Sequence, residues 1–425
     1  MREEGDWTAP RALYVHVPLC RSKCYYCDFY SLPCDPWSEA EMEELVGATL
    51  ARVDDLLGRF PPSGGGLETC YVGGGTPSVL PLPALRRLLE GLARRLPGVR
   101  EWTMEANPES LSDAALDMAA AAGVNRLSIG VQSLDDELLA RLGRPASSGD
   151  CLSALHRAVR HGGFVVSADL IAGLPRRRPL REEVARLLDS GIRHLSMYDL
   201  SLERGTRLAA EVAAGSFVLP DEDLALDERD DAEVLLADHG CRRYEVSNWA
   251  APGDECLHNL VYWRMDSWVG AGPGAVSTLA RSASKSRPSR CPALRIEETR
   301  DAGNYASPGA ERAVETGLCL KDSLFETILM GFRTAFGVDE QAFFARYGLG
   351  LPTLLEATLG KWADLLVEPE PWPLGPDSAA AGDGHAGLGT EGTSGRALGP
   401  KGLDLLNRFL VDCLAEIEAR KALFE

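Results

Sequence analysis

The sequence predicts an α/β fold: a partial (β/α)6 barrel followed by a smaller, mainly helical C-terminal domain. Short apolar runs with period-two alternation are each followed by amphipathic helical stretches, six times in succession. Strictly alternating strands and helices form parallel sheets with right-handed crossovers. Each predicted strand also ends in polar or glycine-rich residues. An open doubly wound sheet fits the alternation too, but six distinctive strand ends that meet at one mouth favour a barrel.

The predicted elements follow one another from residue 12 to residue 239. The first strand is the alternating run Ala12–Val17, and Ser38 is a suitable N-cap for the first helix. The strands are expected at 12–17, 68–72, 101–105, 126–131, 164–171 and 194–200, and the helices at 38–57, 82–96, 113–122, 135–142, 148–161, 180–190 and 224–239. We assign residues 1–285 to the barrel domain.

The character of the chain changes beyond about residue 281. A polar segment rich in proline and serine follows, and we interpret residues 286–322 as a linker. Residues 323–425 are expected to form a helical domain. Within it, residues 371–400 are rich in Gly, Ala, Ser and Pro, which predicts a disordered insertion or a long loop.

Composition limits the possible partners and location. The formal net charge is −19, which argues against a nucleic-acid partner, because binding to phosphates needs clustered basic charge. The 11 cysteines are mostly scattered and do not suggest a secreted disulfide framework. The N-terminus lacks an apolar signal core, and no uninterrupted apolar run reaches the length of a membrane span. A cytoplasmic protein is expected.

Three cysteines dominate the candidate chemistry. Cys20, Cys24 and Cys27 follow the first strand with the spacing C-x3-C-x2-C. Four cysteines close a [4Fe–4S] centre, so three would leave one iron open to a small molecule. Zinc is an alternative that needs a fourth ligand such as His16, and a disulfide needs an oxidising compartment. The spacing resembles the signature of the radical S-adenosylmethionine (radical SAM) family, in which the open iron holds the methionine moiety of SAM.

Polar residues at the other strand ends are candidates for binding SAM. The run Gly73–Pro77 permits close backbone approach, and its N–H and C=O groups could bind the amino end of a zwitterion. Carboxylates suit ribose hydroxyls or an ammonium group, and arginine suits a carboxylate. The residues assigned to the amino acid and ribose of the cofactor are Glu105, Gln132, Arg144 and Asp169. For Arg144 the alternative is a solvated charge at a helix end.

A second motif lies at His258-Asn259-Leu260-Val261-Tyr262-Trp263. An imidazole flanked by aromatic side chains can ligate haem iron and cover a porphyrin face. The alternative is a histidine that is hydrogen-bonded into a domain junction. The chemistry of the residues alone favours that alternative.

Taken together, the chain resembles the oxygen-independent coproporphyrinogen oxidase-like group of radical SAM proteins. The similarity runs from Tyr14 through the final helix. The segments that carry it are 14–18, the cysteine loop, 73–77, 105–108, 125–133, 169–175 and 200–206.

Two branches of this group are distinguished by two features. The coproporphyrinogen III dehydrogenases have a further cysteine two positions after the third of the motif, where this chain has Phe29, and they carry an extra N-terminal segment. The haem-chaperone branch has Phe there and an H-N-x-x-Y-W motif, which residues 258–263 match in every fixed position. The resemblance therefore favours a haem chaperone without coproporphyrinogen oxidase activity, and it reverses the preference stated above for His258.

The resemblance implies the following site. A [4Fe–4S] cluster is expected on Cys20, Cys24 and Cys27, and haem is expected to bind with the involvement of His258. The SAM contacts would be Tyr14, Gly74, Gly75, Thr76, Glu105, Gln132, Arg144 and Asp169. Haem would pass to haem-requiring respiratory enzymes, with at most peripheral membrane contact through these recipients. The rival is radical SAM oxidative decarboxylation of a porphyrinogen propionate, a step of porphyrin biosynthesis.

The chain departs from the haem-chaperone branch in two places. The branch commonly has Gly-Ala-His after its glycine-rich stretch, whereas this chain has Gly274-Ala275-Val276. The insertion at 371–400 has no counterpart in the branch.

Overall fold

The computed structural model describes residues 7–64, 66–281, 289, 291–307, 309–310, 312–374 and 395–420. Twelve strands of these residues form one sheet. They are β1 Ala12–Val17, β2 Thr69–Gly74, β3 Glu101–Ala106, β4 Arg126–Gln132, β5 Val165–Ala172, β6 His194–Asp199, β7 Arg242–Glu245, β8 Asn248–Ala250, β9 Trp268–Ala271, β10 Val276–Ala280, β11 Ala293–Glu298 and β12 Ala313–Leu318. Two-residue strands also pair, Leu19–Cys20 with Leu32–Pro33 and Leu366–Val367 with Ala397–Leu398.

The strand order is β12-β11-β10-β9-β1-β2-β3-β4-β5-β6-β8-β7. From β9 to β6 all neighbours run parallel, and antiparallel strands extend the sheet at both edges. The six predicted strands are β1 to β6, each within two residues of the expected bounds. The α/β class and the repeated strand–helix units are therefore confirmed.

Helices follow the strands along the chain. Those of the first 305 residues are α1 Glu39–Arg59, α2 Leu82–Ala93, α3 Asp113–Ala122, α4 Asp136–Arg141, α5 Ser148–His161, α6 Leu180–Asp189, α7 Arg207–Ala213, α8 Glu222–Asp238, α9 Leu257–Trp263 and α10 Ala302–Tyr305. Ser38 caps α1 in a capping box with Glu41, as expected from its position. No helix among the described residues is long and apolar enough to cross a membrane.

Period-two alternation sorts the strand side chains onto two faces. On β1, Leu13 and Val15 are fully buried in the main hydrophobic core, together with residues of α1 and α2. Tyr14 lies between them in sequence and lines a cavity on the other face. The same alternation places Glu105 on the cavity face of β3, next to the core residue Met104. The sheet is therefore apolar towards its helices and polar towards the cavity.

The region assigned to a linker, residues 286–322, differs from the prediction. Two of the sheet's strands, β11 and β12, lie in it and pair over their full lengths. Leu294 and Ile296 of β11 join the main core. The exposed side chains of β12 hid this edge strand from the hydrophobic pattern, because an edge strand can present polar residues on its outer side.

The C-terminal residues form a separate hydrophobic core, which includes Leu324, Phe332, Phe343 and Phe409. Its helices are α11 Leu320–Gly331, α12 Glu340–Tyr347, α13 Leu351–Leu354, α14 Glu356–Lys361, α15 Pro400–Leu403 and α16 Leu406–Ala419. Most of the predicted insertion, residues 375–394, lies outside the described residues. At its flanks Leu374 is buried, and Ala397–Leu398 is a buried two-residue strand, so these flanking positions are packed against the rest of the protein.

Candidate functional site

The carboxyl ends of six parallel strands open into one cavity of about 420 Å³, which we call the cysteine cavity. All the predicted cluster and SAM residues line it. They are Tyr14, Cys20, Cys24, Cys27, Gly74, Gly75, Thr76, Glu105, Gln132, Arg144 and Asp169. Residues from β1 through β6 can share one cavity only if the sheet curves around it, as in a partial barrel.

The glycine run holds the cysteine loop. The N–H of Gly75 donates to the carbonyl of Val17 at 2.8 Å, and that of Thr76 donates to Leu19 at 2.7 Å. A Cβ on Gly75 would lie 2.6 Å from the carbonyl oxygen of Leu19, so a larger residue cannot fit. The N–H of Gly74 donates to Glu105 at 2.9 Å. The N–H part of the expectation is therefore wrong, because these three N–H groups have protein acceptors, whereas binding of an amino group by the carbonyls of the run stays a prediction.

The thiols of the loop are partly exposed to the cavity and have polar neighbours. The hydroxyl of Thr76 lies 3.6 Å from Sγ of Cys20, and Arg144 Nη1 lies 3.5 Å from Sγ of Cys24. Burial raises the pKa of Cys20 and Cys27, so metal binding there displaces thiol protons. Among the described residues, no three His, Cys, Asp or Glu side chains converge on a position for a single metal ion. Three thiol donors in one wall are the ligand type that an iron–sulfur cluster takes.

Two carboxyl groups occupy the floor of the cysteine cavity. Glu105 accepts hydrogen bonds from the Tyr71 hydroxyl at 2.7 Å and from Gly74 N–H. Burial raises the pKa of Glu105 to about 7. The negative charge of Asp169 also raises this pKa, whereas the two hydrogen bonds lower it. Burial raises the pKa of Asp169 to about 6, although Ser196 and Ser128 stabilise its charged form. In its ionised form, either carboxyl group accepts hydrogen bonds from a ligand hydroxyl or ammonium group.

Arg144 is buried, which contradicts the alternative of a solvated charge at a helix end. Its Nη2 donates to the side-chain oxygen of Asn107 at 3.0 Å, and Asn107 in turn donates to the Thr76 hydroxyl at 2.9 Å. Arg144 therefore connects the cysteine loop, through Thr76 and Cys24, to the end of β3. Gln132 has a φ of 69° at a bulge in β4, and it also lines the cavity.

A second cavity of about 440 Å³, which we call the histidine cavity, adjoins the first. Tyr14, Asp28, Phe29 and Glu105 line both. The walls that belong to the histidine cavity alone are His16, Tyr30, Tyr71, His258, Asn259, Tyr262, Trp268, Gly274, Val276 and Arg300. Phe29 distinguishes the two branches of the family, and Val276 departs from the haem-chaperone branch. Both residues line this cavity, and Phe29 is 68% exposed.

His258 is the one predicted site residue that lines the histidine cavity but not the cysteine cavity, and it shares the histidine cavity with Tyr14 and Glu105. Its Nδ1 is 2.9 Å from the Thr69 hydroxyl and its Nε2 is 2.8 Å from the Tyr262 hydroxyl. Burial lowers its pKa to about 3, so the imidazole is neutral at physiological pH. His258 is thus a buried, hydrogen-bonded histidine that also lines a cavity, and its involvement in haem binding stays a prediction.

Glu101 anchors the helix that carries the motif. Its carboxylate accepts the backbone N–H groups of Leu257 at 3.0 Å and His258 at 2.8 Å, at the start of α9. The guanidinium of Arg126 lies 3.8 Å from the same carboxylate. A carboxylate at a helix N-terminus satisfies N–H groups that have no acceptor within the helix. The sequence did not reveal this residue, since Glu101 precedes the helix by more than 150 positions.

Other residues of the site were also missed. Tyr71 and Ser128 hydrogen-bond Glu105 and Asp169, and period-two alternation could have placed both on the cavity face. Arg300 comes from the short connection after β11, so no local pattern indicated it.

The fold and the three-cysteine cavity define a radical SAM protein. The family model of the radical SAM superfamily matches residues 14–197. A solved structure, coproporphyrinogen III oxidase HemN from Escherichia coli, aligns with a TM-score of 0.70 at 19% identity over 96% of this chain and 90% of that chain. At this identity the likeness describes the fold alone.

Curated relatives narrow the family. The mitochondrial radical S-adenosyl methionine domain-containing protein 1 of Mus musculus is 36% identical over 78% of this chain and 74% of its own length. The heme chaperone HemW of Lactococcus lactis is 32% identical over 79% of this chain and 84% of its length. HemW of Escherichia coli is 38% identical over 63% of this chain and 69% of its own length. The chain therefore belongs to the HemW family of radical SAM proteins, a membership that implies a [4Fe–4S] cluster and SAM as cofactors.

Proposed function

We propose that this protein is a haem chaperone: it binds haem beside a [4Fe–4S] cluster and SAM, and delivers the haem to haem-requiring respiratory enzymes. The observation that carries the proposal is the position of the H-N-x-x-Y-W motif. His258 and Tyr262 of that motif line a cavity of about 440 Å³ that shares a wall with the cysteine cavity. The names of the relatives in Lactococcus and Escherichia support the same function. A cytoplasmic location stays a prediction.

The cysteine cavity provides the groups that a cluster and SAM require. Cys20, Cys24 and Cys27 would hold the cluster, which when reduced supplies an electron to the bound SAM. Arg144 is a guanidinium suited to the SAM carboxylate, and Glu105 and Asp169 are acceptors suited to its ammonium and ribose hydroxyls. Tyr14, Gln132 and the glycine run complete the walls.

The histidine cavity matches the chemistry of a porphyrin. Aromatic rings of Tyr14, Tyr30, Tyr71, Tyr262, Trp268 and Phe29 surround it. Flat aromatic ligands pack on such rings, so the cavity suits the apolar macrocycle. Arg300 lies at the exposed rim, and it makes no ion pair with another described residue. Its guanidinium is suited to a haem propionate, which would stay near solvent.

The alternative function is oxidative decarboxylation of a porphyrinogen propionate by radical SAM chemistry. One observation favours it: the shared wall of Tyr14 and Glu105 would place a tetrapyrrole next to SAM. Phe29 opposes it, because it occupies the position of the further cysteine of the dehydrogenases, and it lies at the boundary between the two cavities.

Two assays on the anaerobically reconstituted, full-length protein test the proposal. The haem-loaded protein is mixed with membranes that contain a haem-depleted respiratory enzyme, and recovery of that enzyme's activity is followed. In parallel, the protein is incubated with coproporphyrinogen III, SAM and a reductant. We expect recovery in the first assay and no decarboxylated product in the second. Product formation without any transfer of haem would support the alternative function instead.

A further inference from the structure

The hydrogen bonds of His258 point to a different iron ligand in the same motif. Both ring nitrogens have partners, and the side chain is only 1% exposed. Tyr262 lies one helical turn later on α9, lines the same cavity, is partly exposed, and has its hydroxyl 2.8 Å from Nε2 of His258. Among the described residues, the Tyr262 hydroxyl has no hydrogen-bond partner other than His258, so a ligand of the histidine cavity that binds this oxygen disturbs no other pair.

The direction of the hydrogen bonds follows from Thr69. This residue is fully buried, and its hydroxyl has no contact to an acceptor other than Nδ1 of His258 among the described residues. A buried hydroxyl hydrogen without an acceptor is costly, so Thr69 donates to Nδ1. A neutral imidazole carries one proton, which is then on Nε2. The Nε2–H donates to the Tyr262 oxygen at 2.8 Å, so the phenol hydrogen is not used in this pair.

We propose that Tyr262 presents the iron-binding oxygen to ferric haem, and that His258, oriented by Thr69, is the positioning residue that donates a hydrogen bond to it. This inference rests on the proposed function and specifies its ligand. Phenolate oxygen is a known protein ligand of haem iron. Forming the O–Fe bond breaks the phenol O–H bond, and the proton leaves to solvent through the cavity or to a hydroxide carried by the iron. Iron keeps its oxidation state.

In this arrangement the histidine and the tyrosine of the motif have complementary roles. The Nε2–H stabilises the negative oxygen that forms on coordination, and no buried charge remains unpaired. The alternative, direct ligation by Nε2, requires the proton to move to Nδ1. It would also leave the Thr69 hydroxyl hydrogen without an acceptor.

Ferric haem titrations of the full-length protein, followed by absorbance and electron paramagnetic resonance, test the assignment. The variants are Tyr262→Phe, His258→Gln and His258→Ala, with Tyr347→Phe as a control tyrosine outside both cavities. The wild type should show a phenolate-to-iron(III) charge-transfer band with a high-spin signal. Tyr262→Phe should lose the band and bind haem more than about 100-fold more weakly, since even loss of an outer partner costs about 10- to 100-fold. The control should match the wild type.

The two histidine variants separate a positioning role from direct ligation. A glutamine amide can donate the same hydrogen bond as Nε2–H but is a poor iron ligand. His258→Gln should therefore keep the phenolate band and most of the affinity that His258→Ala loses. If Tyr262→Phe keeps the wild-type spectrum and affinity while both histidine variants lose them, His258 is the ligand and the inference is wrong, although the proposed function stands. If the wild type itself shows no saturable haem site, the proposed function fails, and the inference with it.

Discussion

Replacing Glu101 with alanine tests how α9 is held against the sheet. The carboxylate accepts two backbone N–H groups at the start of α9, and it lies 3.8 Å from the buried guanidinium of Arg126. The substitution leaves these donors without their acceptor. Removing one partner of a buried charge pair costs about 3–5 kcal/mol, and hydrogen bonds to charged groups contribute about 1.5–3 kcal/mol each. We therefore expect α9 to lose about 3–5 kcal/mol of local stability.

Native-state hydrogen exchange measures this loss where it occurs, because a multidomain chain need not unfold in one step. A loss of 3 kcal/mol corresponds to roughly 100-fold faster exchange for amides of α9, since about 1.4 kcal/mol equals a factor of ten. Exchange in α16, which belongs to the separate C-terminal core, should not change.

The matched control is Glu211→Ala. Glu211 pairs with Arg207 at 2.7 Å on an exposed helix surface, where a pair contributes about 0.3–0.5 kcal/mol. Exchange in α9 should be unaffected by this variant. If Glu101→Ala accelerates exchange in α9 by less than about fivefold, a difference of about 1 kcal/mol, then Glu101 does not anchor the helix and the reasoning is refuted.

Three further predictions concern the two cavities. Cys24→Ser should lose the iron and sulfide of the reconstituted cluster. The control Cys34→Ser should keep about four iron and four sulfide ions per chain. Equal loss in both variants would argue against the assigned ligands. Burial raises the pKa of Glu105 to about 7, above its value in the unfolded chain. The protonated group therefore stabilises the fold fully when the pH is below the pKa of the unfolded chain, and this contribution is lost as the pH rises through 7. The stability of the metal-free wild type is compared with that of Glu105→Gln by urea titrations at several pH values. Relative to the variant, the wild type should lose up to about 3 kcal/mol of stability between about pH 4.5 and pH 7. A stability difference that does not depend on pH would contradict the raised pKa. Arg300→Ala should weaken haem binding by about 1–2 kcal/mol in absorbance titrations. Arg300→Lys should keep part of the affinity that Arg300→Ala loses. Unchanged affinity in both variants would argue against a contact between Arg300 and a haem propionate.

The sequence predicted the strands of the barrel well because period-two alternation is a local property. It placed Glu105, Gln132 and Asp169 at one mouth because parallel strands end on the same side of a sheet, whereas Tyr14 was indicated by the family resemblance. The linker assignment differed from the structure for a physical reason. The strand β12 is mostly exposed, so it carries little hydrophobic signal, and its partner β11 follows a segment rich in proline and serine.

The partners of His258 could not be predicted from local patterns. Thr69 is 189 positions away in sequence, and Glu101 is 157 positions away. Such contacts depend on how α9 packs across β2 and β3. The spacing of residues along the chain does not predict that packing. The glycine run shows a related limit: its composition indicated close approach, but the approaching group is the protein's own backbone.

Haem binding at the H-N-x-x-Y-W motif is tested most directly by an absorbance titration of the reconstituted protein with haem, beside His258→Ala and the control His239→Ala. His239 is exposed at the end of α8 and lines neither cavity, so its loss should leave binding unchanged. We expect one saturable site per chain that is weakened or spectrally altered in His258→Ala alone. Absence of a saturable site, or identical curves for all three proteins, would contradict a haem chaperone that binds its haem at this motif.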